Sequence, residues 1–150
     1  MDLSPSFTLD KLTHSDVGLR RGIDNSPNAG EVANLVRLCE SLLEPAQALL
    51  GVPLVINSGF RCPALNQAIG GATNSAHMDG RAADFILPCG MSLSDAFKTL
   101  RKSSLPYDQI IFECGAWLHL AVAKAGSDPR RQALTASGGP GHWAYMRVQE

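Results

Sequence analysis

A chain of 150 residues, 45% hydrophobic and 18% charged, fits one domain and is long enough to bury a proper core. Thirteen basic residues against 14 acidic ones leave a net charge of −1. That balance gives neither the basic patch of a nucleic-acid binder nor a strongly acidic, solvating chain.

In chain order, residues 1–30 are mixed. Ser4-Pro5, Ser26-Pro27 and Asn28-Ala29-Gly30 are turn signals around a short helix at Leu9–Leu12. Apolar residues recur at three- and four-residue steps from Val32 to Leu50, which predicts a helix over 31–50 that stops at Gly51. Pro45 lies inside that pattern and predicts a kink or two abutting helices. Val52–Asn57 reads as a strand, and Pro63–Ile69 as a helix opened by proline and closed by Gly70-Gly71. Thr73–Arg81 is a polar loop and Ala82–Leu87 a second strand. Ser92 or Ser94 caps a helix running to Arg101, with Leu93, Ala96, Phe97 and Leu100 on one face.

Asp108–Glu113 and Trp117–Ala123 form a hairpin. From Lys124 the chain is expected to be a looser tail, with 137–141 as a flexible spacer. Helices come first, strands pair locally and no repeat is present, so the fold class is α+β. One domain over 1–150 is expected.

No apolar run approaches the ~18 residues that cross a bilayer, so no integral membrane segment is expected. Residues 1–16 lack a basic segment followed by an apolar one, so the chain is expected to be made in the cytoplasm without a secretory signal. Cys39, Cys62, Cys89 and Cys114 contain no C-x-x-C pair. Free, buried or half-buried thiols are expected rather than a four-thiolate zinc.

Chemistry concentrates on two of the four histidines. His77 lies in the loop Ser75-Ala-His-Met-Asp-Gly-Arg-Ala-Ala-Asp84, and His119 inside Trp117-Leu-His-Leu-Ala121. Two imidazoles and a carboxylate make a catalytic zinc set, with a fourth position left for water. By spacing alone the pattern is weak. Three blocks together are specific: S-x-H-x-x-G-x-A-x-D, the upstream Ser58-Gly-Phe-Arg-Cys-Pro-Ala-Leu-Asn66, and the downstream W-x-H-x-A.

In order and spacing they closely resemble the zinc D-Ala-D-Ala carboxypeptidases and the related phage endolysin peptidases, over residues 31–123. The resemblance implies the fold shared with the hedgehog signalling domain, a small antiparallel sheet with flanking helices around a zinc cleft. It implies one zinc ion held by His77, Asp84 and His119. It also implies an arginine, here Arg61, directed at a substrate carbonyl or terminal carboxylate. The implied function is hydrolysis of peptidoglycan stem peptides by a monomer acting on the cell wall, in a phage after holin-mediated release. Neither the bond, D-Ala-D-Ala or L-Ala-D-Glu, nor a phage or bacterial origin is readable.

Arg61 carries a fixed fork of donors suited to a carboxylate or a developing oxyanion. Ser75 is expected to bond the loop or the substrate, and Gly80 to supply a turn conformation closed to other residues. Asp79 reads as an exposed loop carboxylate rather than an imidazole partner. Asn66 and Gln67 either line the cleft or decorate a helix. His14 reads as exposed, His142 beside Trp143 as a docking contact, and Lys124 with Arg130-Arg131 as a solvated loop.

Many relatives carry an acidic residue three positions before the last zinc histidine, where this chain has Ala116. A non-catalytic zinc-containing binding module of the same fold is therefore the alternative, and Glu113 is the replacement base. A three-residue turn at 114–116 places Ile110, Phe112, Leu118, Leu120 and Val122 on one apolar face. It places Glu113, Trp117, His119 and Ala121 on the other, with Trp117 beside the substrate.

Overall fold

The computed structural model describes residues 1–88 and 90–148; the Cys89 thiol lies outside the described residues. Two short helices open the chain. Helix α1 (Leu9–Thr13) is capped by Thr8, and α2 (Asp16–Arg21) by Ser15. The second lay unpredicted among turn signals, being only 6 residues long with one buried position, Gly18.

Asn28 and Glu31 form a reciprocal capping box at the start of α3 (Ala29–Leu38), each accepting from the other's backbone N–H at 2.8 Å. The helix then widens into a π-helical turn at Cys39–Leu43 before α4 (Glu44–Leu50). Pro45 explains the wide turn: it has no N–H for the preceding turn, and its ring crowds the carbonyl there. The rod stays continuous. Leu35, Leu38, Leu42, Leu43 and Ala46 are fully buried along it, and Gly51 closes it at φ 71°.

The remaining elements are β1 (Val55–Ser58), α5 (Pro63–Ala68), β2 (Ala82–Ile86), α6 (Leu93–Arg101), β3 (Gln109–Glu113), β4 (Trp117–Ala121), β5 (Gln132–Gly139) and β6 (His142–Arg147). The fold is α+β, as expected. Its sheet is not small or purely antiparallel: six strands lie in the order β1-β2-β4-β3-β5-β6, with β3 and β5 parallel. The last two strands come from the segment expected to be a loose tail. Its Gly-rich stretch, 137–141, is the tip of a β-hairpin that pairs Gly139 with His142.

Strand alternation gives the sheet two different faces. Ala83, Phe85, Ile110, Leu118 and Leu120 join the leucines of the helical rod in the main core. Asp84, Ile111, Glu113, Trp117 and His119 point to the opposite face, where Ile111, Leu134 and Ala136 form a small separate apolar cluster. The site is built on that second face.

Candidate metal centre

Strands β2 and β4 pair Asp84 directly with His119, so the register alone brings a carboxylate and an imidazole together. His77 arrives from the loop that precedes β2. A 3-10 turn, Ala76–Asp79, is capped by the Ser75 hydroxyl, which accepts from the His77 backbone N–H at 3.2 Å. Gly80 ends the turn at φ 75°, where a Cβ would come within 2.6 Å of the Glu31 carbonyl oxygen. Only glycine meets both conditions.

His77 Nε2 lies 3.2 Å from Asp84 Oδ1, and His119 Nδ1 lies 2.9 Å from the same oxygen. One donor atom from each residue falls within 4.8 Å of the others, and all three residues are buried. Ligand atoms on a tetrahedral zinc at about 2.0–2.1 Å sit about 3.3 Å apart, close to both separations. His77 Nδ1 stands 2.7 Å from the Gly59 carbonyl. That carbonyl accepts the Nδ1 proton and leaves the Nε2 lone pair free for a metal. For His119, Nε2 is buried with no partner among the described residues, so the carboxylates beside Nδ1 orient that ring.

Electrostatics favour the same protonation states. Burial pushes the His77 imidazole below its ordinary pKa despite the Asp84 charge, so the ring is neutral. Burial pushes the Asp84 carboxyl up, but the two imidazoles outweigh it and hold the group well below the usual carboxylate range. A neutral His77 imidazole and an ionised Asp84 carboxylate are the forms in which these two groups ligate a divalent cation. The donor set therefore fits zinc.

Arg61 is buried beside the trio. Its Nε donates to Ser58 Oγ at 3.1 Å, one terminal nitrogen to Asn66 Oδ1 at 3.1 Å, and the other to Asp84 Oδ2 at 3.3 Å. Asn66 in turn donates to the Ala72 carbonyl at 2.9 Å. Asn25, outside the blocks read in the sequence, fixes the corner before α5: its amide donates to the Thr13 and Phe60 carbonyls and accepts from the Cys62 N–H. Pattern reading left Asn66 open and missed Asn25. Half-buried Asn25 stands in none of the three blocks and so carries no local signal.

Glu113 pairs with Trp117 across a turn of three residues, and its Oε1 comes within 3.9 Å of His119 Nδ1. Burial raises the Glu113 pKa, and the nearby Asp84 charge raises it further. Arg61, Ser75, Glu113 and Trp117 all line a cleft of about 670 Å³ together with the trio. Trp143 and Tyr145 of β6 line it too, unforeseen because their strand was not expected.

A family model described as Peptidase M15 matches residues 5–121. The chain belongs to the peptidase M15 family. M15 peptidases are zinc-dependent, in accord with the donor chemistry of His77, Asp84 and His119. The M15 match starts well before the three blocks, taking in α1 and α2, and stops at the end of β4. Comparison with curated proteins gives no match.

The other polar residues fall outside the trio. His14 bonds Asp16 on the surface, Asp79 accepts from Arg81, and His142 is exposed on β6. The docking contact expected at His142 is made by its neighbour, since Trp143 Nε1 donates to the Gly70 carbonyl at 3.3 Å. Lys124, Arg130 and Arg131 are exposed, as a solvated loop requires, and the two arginines also tie that loop to the body of the protein. Arg130 bonds both carboxylate oxygens of Asp108, at 2.8–3.2 Å, and Arg131 donates to the Leu105 and Ser103 carbonyls while stacking 4.4 Å over Tyr107. Cys39 is buried, Cys62 half-buried and Cys114 exposed, all three as free thiols.

Proposed function

We propose that this M15 peptidase hydrolyses peptide bonds in peptidoglycan stem peptides, as a D-Ala-D-Ala carboxypeptidase or a phage-type endolysin that reaches the wall after holin release. The observation that carries a catalytic reading is Glu113. The position usual for a base holds Ala116, yet Glu113 supplies a carboxylate on the same face as the trio, 3.9 Å from His119. That weighs against the non-catalytic binding module of the same fold.

Zinc bound by His77, Asp84 and His119 supplies Lewis acidity for a peptide carbonyl and lowers the pKa of water. The protein's own groups do the rest. Glu113 accepts a proton from the attacking water and returns it to the leaving nitrogen. Its raised pKa suits both transfers, because a shuttle works best near the operating pH. Arg61 spends three of its five N–H donors on Ser58, Asn66 and Asp84, which leaves two for a substrate oxygen. Such a donor, already oriented, stabilises the charge that develops on that oxygen. Ser75 and Trp117 border the substrate from the loop and from β4.

Digestion of purified peptidoglycan, followed by mass spectrometry of the released fragments, tests this reading. Free D-alanine identifies carboxypeptidase action. New L-alanine carboxyl ends with D-glutamate amines identify endolysin action, and an unchanged wall removes the proposal.

A further inference from the structure

One row of the sheet runs from the metal trio to the last strand. The register pairs Asp84 with His119, His119 with Ile111, Ile111 with Leu134, and Leu134 with Arg147. Side chains paired in this way share a face, and every member of the row lines the cleft. Ile111 and Leu134, buried with Ala136 apart from the main core, make an apolar floor between the metal ligands and β6. In the neighbouring row Glu113 pairs with Ala136 and Ala136 with Tyr145, which brings a phenol to the same wall as Arg147.

Four arginines line this cleft: Arg61, Arg81, Arg130 and Arg147. Three of them are already paired, Arg61 with Asp84 at 3.3 Å, Arg81 with Asp79 at 3.0 Å and Arg130 with Asp108 at 2.8 Å. Among the described residues, Arg147 alone of the four has no carboxylate partner. It stands exposed on an edge strand, at the end of the row farthest from the metal ligands. The carboxylates that line the cleft are Asp84, Asp108 and Glu113, and the first two belong to those pairs. Cationic side chains thus outnumber anionic ones even before a metal is bound, which favours an anionic ligand.

We infer that Arg147 forms a carboxylate subsite for the substrate, which crosses the sheet from the metal trio over Ile111 and Leu134. The inference rests on the peptidase reading above and deepens it by naming an anionic peptide. Three strand-to-strand steps of about 4.8 Å put Arg147 about 14 Å from His119. An extended peptide covers that span in about four residues, and in fewer where the long arginine side chain leans inward. The carboxylate held there lies about two to four residues from the bond that is cut. A stem peptide offers this chemistry in two places: the free carboxylate of its D-glutamate and, in walls that contain it, the additional carboxylate of diaminopimelate. A guanidinium fork grips either in the same way. Arg147 lies beyond the matched residues 5–121, so the family match does not describe this subsite.

The test uses synthetic stem pentapeptides in which the D-glutamate carboxylate is free or amidated and the third residue is lysine or diaminopimelate. Zinc-loaded wild type, Arg147→Gln and Arg147→Glu, each checked for retained fold by circular dichroism, are compared by kcat/KM with products read by mass spectrometry. Wild type is expected to prefer the carboxylate-bearing member of one or both pairs by about fivefold, the scale of an exposed ion pair. The pair that shows the preference identifies the carboxylate held. Added salt should shrink it, because Arg147 is exposed. Arg147→Gln should bring the ratio to about one, and Arg147→Glu should invert it by repelling the carboxylate. A wild type without preference in either pair, or a folded Arg147→Gln with the preference unchanged, overturns the inference while leaving the peptidase reading in place. Cleavage of none of these peptides by the zinc-loaded wild type removes both.

Discussion

Glu113 Oε1 stands 3.9 Å from His119 Nδ1, on adjacent antiparallel strands joined by Cys114-Gly115-Ala116. The two residues share a face because the turn has three residues. Cys114 and Gly115 take positive φ, 53° and 65°, to make that turn. With one residue more or fewer, Glu113 would lie opposite a core residue instead. Glu113→Gln keeps the shape and removes the proton acceptor. Turnover should fall by about 10²–10⁴-fold with zinc content and melting temperature unchanged.

The same carboxylate sets the pH dependence. Burial and Asp84 raise the Glu113 pKa above its ordinary 4.5, and the ionised form is the active base. Turnover should therefore drop as pH falls, along an acid limb displaced above the usual glutamate range. A kcat profile of the wild type measures that limb, which should vanish from the residual activity of Glu113→Gln.

One zinc per chain is expected, with activity lost to a chelator and restored by added zinc. Because three protein ligands hold the ion, alanine at His77, Asp84 or His119 should lower zinc content measured by elemental analysis. Full zinc content in His119→Ala would remove that residue from the set.

Arg61 bonds three acceptors through a planar fork. Arg61→Lys retains charge but cannot reproduce that geometry, so it should behave as a substantial loss. A fall in kcat with KM unchanged identifies an interaction made in the transition state, whereas a rise in KM identifies a grip on substrate throughout. Gly71→Ala tests the support of that fork. Its Cβ would fall 2.1 Å from Asn66 Oδ1, so kinetics should move in the direction of the Arg61 variant while zinc is retained.

Arg130 ties the start of β5 to Asp108, whose side chain is 9% exposed against 60% for Arg130. Burial alone would raise the Asp108 pKa, but its bonds from Arg130 outweigh that and hold it below the ordinary value. The pair therefore contributes stability above the unfolded carboxylate pKa, about 4, and loses it as pH falls through the lower folded value. Half the pair lies in water, so Arg130→Ala should cost about 1 kcal/mol at neutral pH. Thermal melts should show a drop of about 2–4 °C at pH 7. The difference should shrink in acid.

What the sequence made legible was local. The apolar alternation of Ile110, Phe112, Leu118 and Leu120 identified the β3–β4 turn, and the His77 and His119 blocks lay in segments that the sheet brings side by side. The β5 strand was hard to see because one partner, β3, is joined in parallel across the intervening β4 and a long loop, and the other, β6, lies beyond a Gly-rich tip. Its glycines resemble a spacer until that partner is known. Asn25 escaped, and the role of Asn66 stayed open, for a related reason: each works through contacts with residues on other elements, and neither stands in a repeating pattern.

The central claim, that the trio with Glu113 makes a zinc peptidase for wall peptides, is tested most directly by one assay. Metal-free protein, the same protein reloaded with zinc, and zinc-loaded Glu113→Gln are each incubated with a synthetic stem pentapeptide, and products are read by mass spectrometry. The account predicts cleavage by the zinc-loaded wild type, none by the metal-free protein, and cleavage reduced by about 10²–10⁴-fold in the variant. Equal cleavage with and without zinc, or no cleavage of any stem peptide by a zinc-loaded and folded wild type, would contradict it.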